Sequence, residues 1–182
     1  MKRENISCFN FGLSDSEGSA PIYVSGDCYG SARLDSESDS YIKEKQEIQL
    51  KVLDAHQSLE NEKIGLIKID IEGHEIFALK GARNLIVRDK PIIVFEQHHR
   101  EFINGSTPVI EFLKSLNYNT FALIKETPAV PLWIPNFFKP IIIRLIKILK
   151  LFIGYQTKIE EVNNIKPGFY SLIVAIPDEA KS

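Results

Sequence analysis

The chain has 182 residues, of which 44% are hydrophobic and 25% charged. That length predicts one domain with a real core, and that composition excludes a disordered chain. A formal net charge of −2 gives no reason to expect a nucleic-acid partner.

Two cysteines, Cys8 and Cys28, lack metal-type spacing and read as free, buried thiols in a reducing compartment. Met1-Lys-Arg is followed by polar Glu4-Asn5 rather than an apolar run, so no signal peptide is expected. The expected location is cytoplasmic, with a membrane surface as the alternative raised by a segment described below.

Ile6 to Leu13 reads as a strand stopped by the turn formers Ser14-Asp-Ser-Glu-Gly18. Pro21 to Val24 reads as a short edge strand and Gly26 to Leu34 as a loop. Asp35-Ser-Glu-Ser-Asp-Ser40 is a polar, solvated loop. Ile48, Leu50 and Val52 alternate with Gln49 and Lys51, the period of a half-buried strand. Asp54 is placed to cap a short helix through Leu59, with Gln57 three residues on as in a capping box.

Ile64 to Ile69 is nearly continuous apolar, as a strand covered on both faces must be. His74 to Val87 has helical spacing, and Pro91 to Glu96 reads as the next buried strand. Thr107 caps a helix with Pro108 in its first position, Val109, Phe112, Leu113 and Leu116 follow helical spacing, and Asn117 suits the exit. Asn119 to Lys125 and Phe169 to Ile176 close the sheet. Strands alternating with helices predict an α/β fold whose sheet is mainly parallel; the antiparallel closing strand is what the resemblance described below implies.

An insertion over 131–158 separates those last two strands. On a helix at about 100° per residue, Lys139, Arg144, Lys147 and Lys150 share one face, and Ile142, Leu145, Ile146, Leu149, Phe152 and Ile153 take much of the rest. The run is too short and too basic to span a bilayer, which needs about 20 mostly apolar residues. Either 137–153 lies on an anionic membrane surface, or the insertion packs on its own domain.

Ligands of open parallel sheets bind outside the carboxyl ends of the strands. Asp70, Glu72 and His74 follow one such end, and Glu96, His98 and His99 another. If the two strands are neighbours, both groups crowd one rim and offer a hydroxyl acceptor a choice of general bases. Carboxylates and histidine could also hold a divalent cation, although the spacing assigns no metal ligands. The structural alternative is that Asp70 or Glu72 only caps a helix, that Glu72 and Glu75 answer its dipole, and that His98-His99-Arg100 is solvated. Gly26-Asp-Cys-Tyr-Gly-Ser31 is no GxGxxG and is a weak phosphate cradle. Trp133 reads as a packing residue.

Ile67-Lys-Ile-Asp-Ile-Glu-Gly-His-Glu75, Leu79-Lys-Gly-Ala82, Ile92 to Glu96, Asn10-Phe-Gly-Leu-Ser-Asp15 with Gly18, Val52-Leu-Asp54 and Leu116-Asn-Tyr118 together resemble the FkbM family of S-adenosylmethionine-dependent methyltransferases. The resemblance implies a partial Rossmann-like class I methyltransferase sheet, in which strands 3 to 7 of the order 3-2-1-4-5-7-6 are represented. It implies methyl transfer from S-adenosylmethionine, usually to oxygen and often on a sugar or glycan. Asp70 and Glu72 are then expected to position the acceptor or a metal, His74, Glu96 and His98 are base candidates, and Ser14 and Asp15 lie near the adenine.

The family's glycine-rich cofactor loop and acidic ribose contact match no position here. The expectation is a single FkbM-type domain over 1–182, incomplete at its amino end, with a saccharide or glycolipid acceptor. A partner chain covering the open sheet edge is a further expectation. The rival expectation is a non-catalytic remnant or a partner-dependent interaction module.

Overall fold

The computed structural model describes residues 5–25, 32–33, 42–128, 137 and 155–181, and the structural statements below concern these. The 26–31 glycine cluster, the 35–40 loop, Trp133, Cys28 and all of the 137–153 segment except Phe137 lie outside them.

Two sheets form. The first contains β1 (Gly12–Leu13), β2 (Gly18–Ser25), β3 (Ala32–Arg33) and β4 (Ile42–Lys51), in the order β1-β4-β2-β3. β1 runs parallel to β4, and β2 pairs antiparallel with both β4 and β3. The strand expected over Ile6 to Leu13 shrinks to its last two residues. Ile6 and Phe9 are more than half exposed, and the rings of Phe9 and Phe11 gather on His56 instead. Cys8 is exposed rather than buried. Pro21 lies in a strand with neighbours on both sides, not in an edge strand. β3 reaches only Tyr23 and Val24, however, so Pro21 sits on the open stretch, where a missing amide costs least.

The second sheet contains β5 (Leu66–Ile69), β6 (Ile92–Gln97), β7 (Thr120–Pro128), β8 (Tyr155–Val162) and β9 (Tyr170–Ile176), in the order β5-β6-β9-β7-β8. Only β5 and β6 pair in parallel; β6–β9, β9–β7 and β7–β8 are antiparallel. The sheet is therefore mixed, a correction to the mainly parallel expectation. β5, β6 and β7 share one direction because helices connect them, and β8 and β9 run back against them. The order β5-β6-β9-β7 is the one the resemblance implies for strands 4-5-7-6.

Between β5 and β6 the expected single helix is two, α1 (Glu75–Lys80) and α2 (Arg83–Asp89). The break falls at Gly81-Ala82, where the chain passes against the backbone of Ser14. Asp54 caps no helix of its own; Leu53–Ala55 and Gln57–Leu59 are separate 3-10 turns. Its carboxylate instead accepts the amides of Asn84 (2.8 Å) and Leu85 (2.9 Å), capping α2 from outside. α3 (Pro108–Lys114) starts as expected: Thr107 Oγ1 accepts the Ile110 amide and Pro108 follows it. Asn117 makes the exit with φ of 66°.

The core lies where the helices cover β6 and β9. Leu79, Ile86, Ile93, Leu113, Tyr118 and Ile173 are fully buried there. At roughly 1.5–3 kcal/mol for each large apolar side chain, this layer is the main source of stability. β5 is less covered than its sequence implies: Leu66 is 60% exposed and Lys68 faces solvent. It is an edge strand with no neighbour on its outer side among the described residues. No helix among the described residues is long and apolar enough to cross a membrane.

Candidate functional site

The parallel register of β5 and β6 sets Ile69 opposite Phe95, so Asp70 and Glu96 leave the two strands side by side. Alternation along β6 buries Phe95 and Gln97 and turns Glu96 and His98 to the other face. After Asp70 the chain turns sharply, with Glu72 at φ 56° and Gly73 at φ 104°. A non-glycine residue in the left-handed region is uncommon and costs backbone energy.

Glu75, 3% exposed, holds this turn by accepting the amides of Ile71 (3.1 Å) and Gly73 (2.9 Å). The turn is thus organised by Glu75, while the helix cap position belongs to His74, which makes no side-chain cap bond. Asp70 is free for another role, pairing with Lys68 at 2.8 Å where both side chains are half exposed.

The result is one cluster. His98 Nε2 lies 3.6 Å from a Glu72 oxygen and 3.8 Å from a Glu96 oxygen. Phe169 packs over the imidazole at 5.3 Å between ring centroids. Below, the buried Gln97 accepts from Thr107 Oγ1 at 2.7 Å and donates to Glu101, whose carboxylate also accepts the His98 amide. Gln97 and Glu101 fix where His98 leaves the strand. Sequence reasoning took Glu75 only as a charge answering the helix dipole and did not single out Gln97 or Glu101; Glu75 instead binds backbone amides of its own turn, and Gln97 bonds to Thr107 ten residues on. The available signal was a carboxylate three residues after His98, the spacing of a capping box.

Burial is the largest influence on Glu96 and pushes its carboxyl up. His98 opposes this, while Asp70 and Glu72 reinforce it. Asp70 moves the other way, chiefly through the Lys68 ammonium. The two carboxyls stand close enough to influence each other, Asp70 adding to the upward push on Glu96. Glu101 is likewise pushed up by burial.

Two expected site residues stand apart. His74 Nε2 is 3.1 Å from Ser14 Oγ, and its ring stacks on Phe77 at 4.7 Å. His74 therefore belongs with the buried Ser14 at the end of β1, not with the acidic cluster. Asp15, beside it, is exposed. His99 begins a 3-10 turn on the surface.

An apolar cleft of about 410 Å³ runs along the open edge of β5, between Phe11–Leu13 and α1, and ends at Asp70. A second cleft, about 340 Å³, lies between α2 and the turns after β4. Two of its charged groups are committed: Asp54 caps α2, and Arg88 binds Asp89 and three backbone carbonyls.

Compared with known families, residues 1–120 match the methyltransferase FkbM domain. The chain belongs to that family. The matched part carries β5, the Asp70–Glu75 turn, α1 and β6, so the acidic cluster lies inside the FkbM domain. Its general chemistry is methyl transfer. No curated protein and no solved structure matches the chain.

The family generally implies S-adenosylmethionine, and the cleft tests that. An adenosyl group with an amino-acid tail needs partners for ribose hydroxyls, an ammonium and a carboxylate. The only charged side chains lining the cleft are Asp70 and Lys68, which pair with each other. The lining of this cleft therefore does not by itself supply the polar partners of a cofactor site, and Ser14 and Asp15 are not among the residues that line it.

Proposed function

We propose that this FkbM domain serves O-methylation of a saccharide or glycolipid hydroxyl from S-adenosylmethionine, with Asp70, Glu72, Glu96 and His98 receiving the acceptor. The supporting observation is the convergence of three carboxyl groups and one imidazole at adjacent strand ends. Sugar hydroxyls are donors, and ionised carboxylates accept from them in short, strong bonds of about 2.5–2.7 Å. A hydroxyl must lose its proton as its oxygen is alkylated. Asp70, kept anionic by Lys68 and half exposed, is the group placed to accept it. Glu72, Glu96 and His98 orient the hydroxyl, an effect worth orders of magnitude in rate.

The test uses labelled S-adenosylmethionine with a panel of oligosaccharides and lipid-linked saccharides. Label should enter an acceptor with the wild-type protein and fall about 100-fold or more with Asp70→Asn. The unfolding midpoint should barely move, since an exposed ion pair contributes about 0–1 kcal/mol. Equal transfer by the variant removes Asp70 from the chemistry.

One observation favours the second reading, a partner-dependent module. β1 and the open edge of β5 face each other across the apolar cleft, and that cleft lacks the polar groups a cofactor needs. A folded wild-type chain that transfers no label to any acceptor, and gains activity only when a second protein is added, supports the module.

A further inference from the structure

We propose that Glu72, Glu96 and His98 form a binding site for one divalent transition-metal ion. The three side chains come from two elements, the turn after β5 and the end of β6, and each offers one ligand atom, all within 4.8 Å of one another. The separations of His98 Nε2 from the two carboxylate oxygens, 3.6 and 3.8 Å, are too long for hydrogen bonds. They suit ligands around an ion. Atoms about 2.1 Å from a metal and about 110–130° apart lie roughly 3.4–3.8 Å from each other.

The second observation is the state of that nitrogen. His98 Nε2 is buried from solvent and has no hydrogen-bond partner. A buried polar atom without one costs about 1–3 kcal/mol, which an ion would offset. Phe169 closes one side of the imidazole and Gln97–Glu101 holds its backbone, so ring placement does not depend on the ion.

The donor set selects the ion class. An imidazole with two carboxylates suits Zn²⁺, Mn²⁺ or Co²⁺, whereas Mg²⁺ and Ca²⁺ prefer oxygen ligands alone. Three protein ligands leave at least one position open for water or a hydroxyl. An acceptor hydroxyl bound there would be acidified beside Asp70. That role rests on the proposed function, but ion binding does not.

The test is made on the full chain after chelator treatment, with Mn²⁺, Zn²⁺ and Mg²⁺ titrated separately by calorimetry. Saturable binding of one Mn²⁺ or Zn²⁺ per chain is expected, with Mg²⁺ weaker. Glu72→Gln and His98→Gln should each weaken binding at least about tenfold, and Glu60→Gln, on the exposed turn after β4, should not. A second measurement needs no variant: in the wild-type protein, Zn²⁺ should shift the side-chain nitrogen resonances of one of the four histidines. The absence of saturable binding by folded protein overturns the site, as does a shift of two histidines or unaltered affinity in both variants. Methyl transfer that fails while ion binding survives would remove the acceptor reading and leave the metal site standing.

Discussion

Gly81→Ala should be among the most damaging single-atom-group changes in the protein. A Cβ at Gly81 would sit 2.0 Å from Ser14 O, 2.9 Å from Ser14 C and 3.4 Å from Asp15 Cα. All three are backbone atoms, so no side chain can swing aside. Backing away by more than an ångström pulls on the Ser14 amide bond to Lys51 O (3.0 Å), the Asp54 amide bond to Gly81 O (2.8 Å) and the His74–Ser14 contact (3.1 Å). Overpacking alone costs about 1–3 kcal/mol, and each strained hydrogen bond adds about 1 kcal/mol. The expected loss is about 3–4 kcal/mol, from a total of about 5–15 kcal/mol for a typical domain. At roughly 2–4 °C per kcal/mol for a chain of this size, the midpoint should drop by about 6–16 °C. Urea unfolding measures the loss directly. Gly65→Ala is the control: nothing lies within 4 Å of its added Cβ, and its backbone is not left-handed. It should be neutral or slightly stabilising. If the two variants unfold at the same urea concentration, the close approach of β1 to the α1–α2 junction is wrong.

Other expectations follow from single contacts. Asp54→Ala removes the outside cap of α2 and should cost about 1–2 kcal/mol in urea unfolding, most of it recovered by Asp54→Asn. Tyr118→Phe leaves the buried Pro91 carbonyl without its donor at 2.7 Å and should cost about 1–2 kcal/mol. Burial pushes the Tyr118 phenol up to about 12, so its contribution is intact below the unfolded value of about 10 and is lost as pH rises through about 12; Tyr118→Phe should flatten the alkaline limb of the stability profile. Asp89, lowered to about 2 first by its bond to Arg88 and next by the Ile64 amide, contributes above its unfolded value of about 3.9 and loses that as pH falls through about 2. Asp89→Asn should therefore flatten the acid limb, and an unchanged acid limb would show that the pair is idle in solution.

The parts of this fold that can be read from sequence are those whose cause is local. Thr107-Pro108 marks a helix start because an acceptor side chain and a fixed φ act within one turn. The apolar run of β6 reads as a buried strand, and it is one: Ile93 and Phe95 are fully buried. Pairing is a different matter. Strand–helix alternation implies parallel neighbours, and it holds for β5 and β6, whose crossover contains α1 and α2. It says nothing about β8, which pairs antiparallel with β7 and is hidden in sequence behind the insertion. The apolar run of β5 misleads in another way. Its composition suits cover on both faces, yet its place at the sheet edge leaves Leu66 exposed.

The acidic cluster was legible because it needs only two facts, that β5 and β6 are neighbours and that both end in acids. What the sequence hides is which residues face the same way. His74 and Glu72 are two apart in the chain, yet the left-handed turn at Glu72-Gly73 sends Glu72 towards His98 and leaves His74 against Ser14. The same geometry explains two motif positions. Glu75 is kept from solvent by binding the turn's own amides, and Gly81 is held to hydrogen by the backbone of Ser14. Neither is placed to touch an acceptor. The block from Ile67 to Ala82 thus holds residues of two kinds: Glu75 and Gly81 shape the rim, while Asp70 and Glu72 stand on it. A substitution at Gly81 should therefore lower activity only as far as it lowers the folded fraction, whereas one at Asp70 should lower activity in molecules that remain folded.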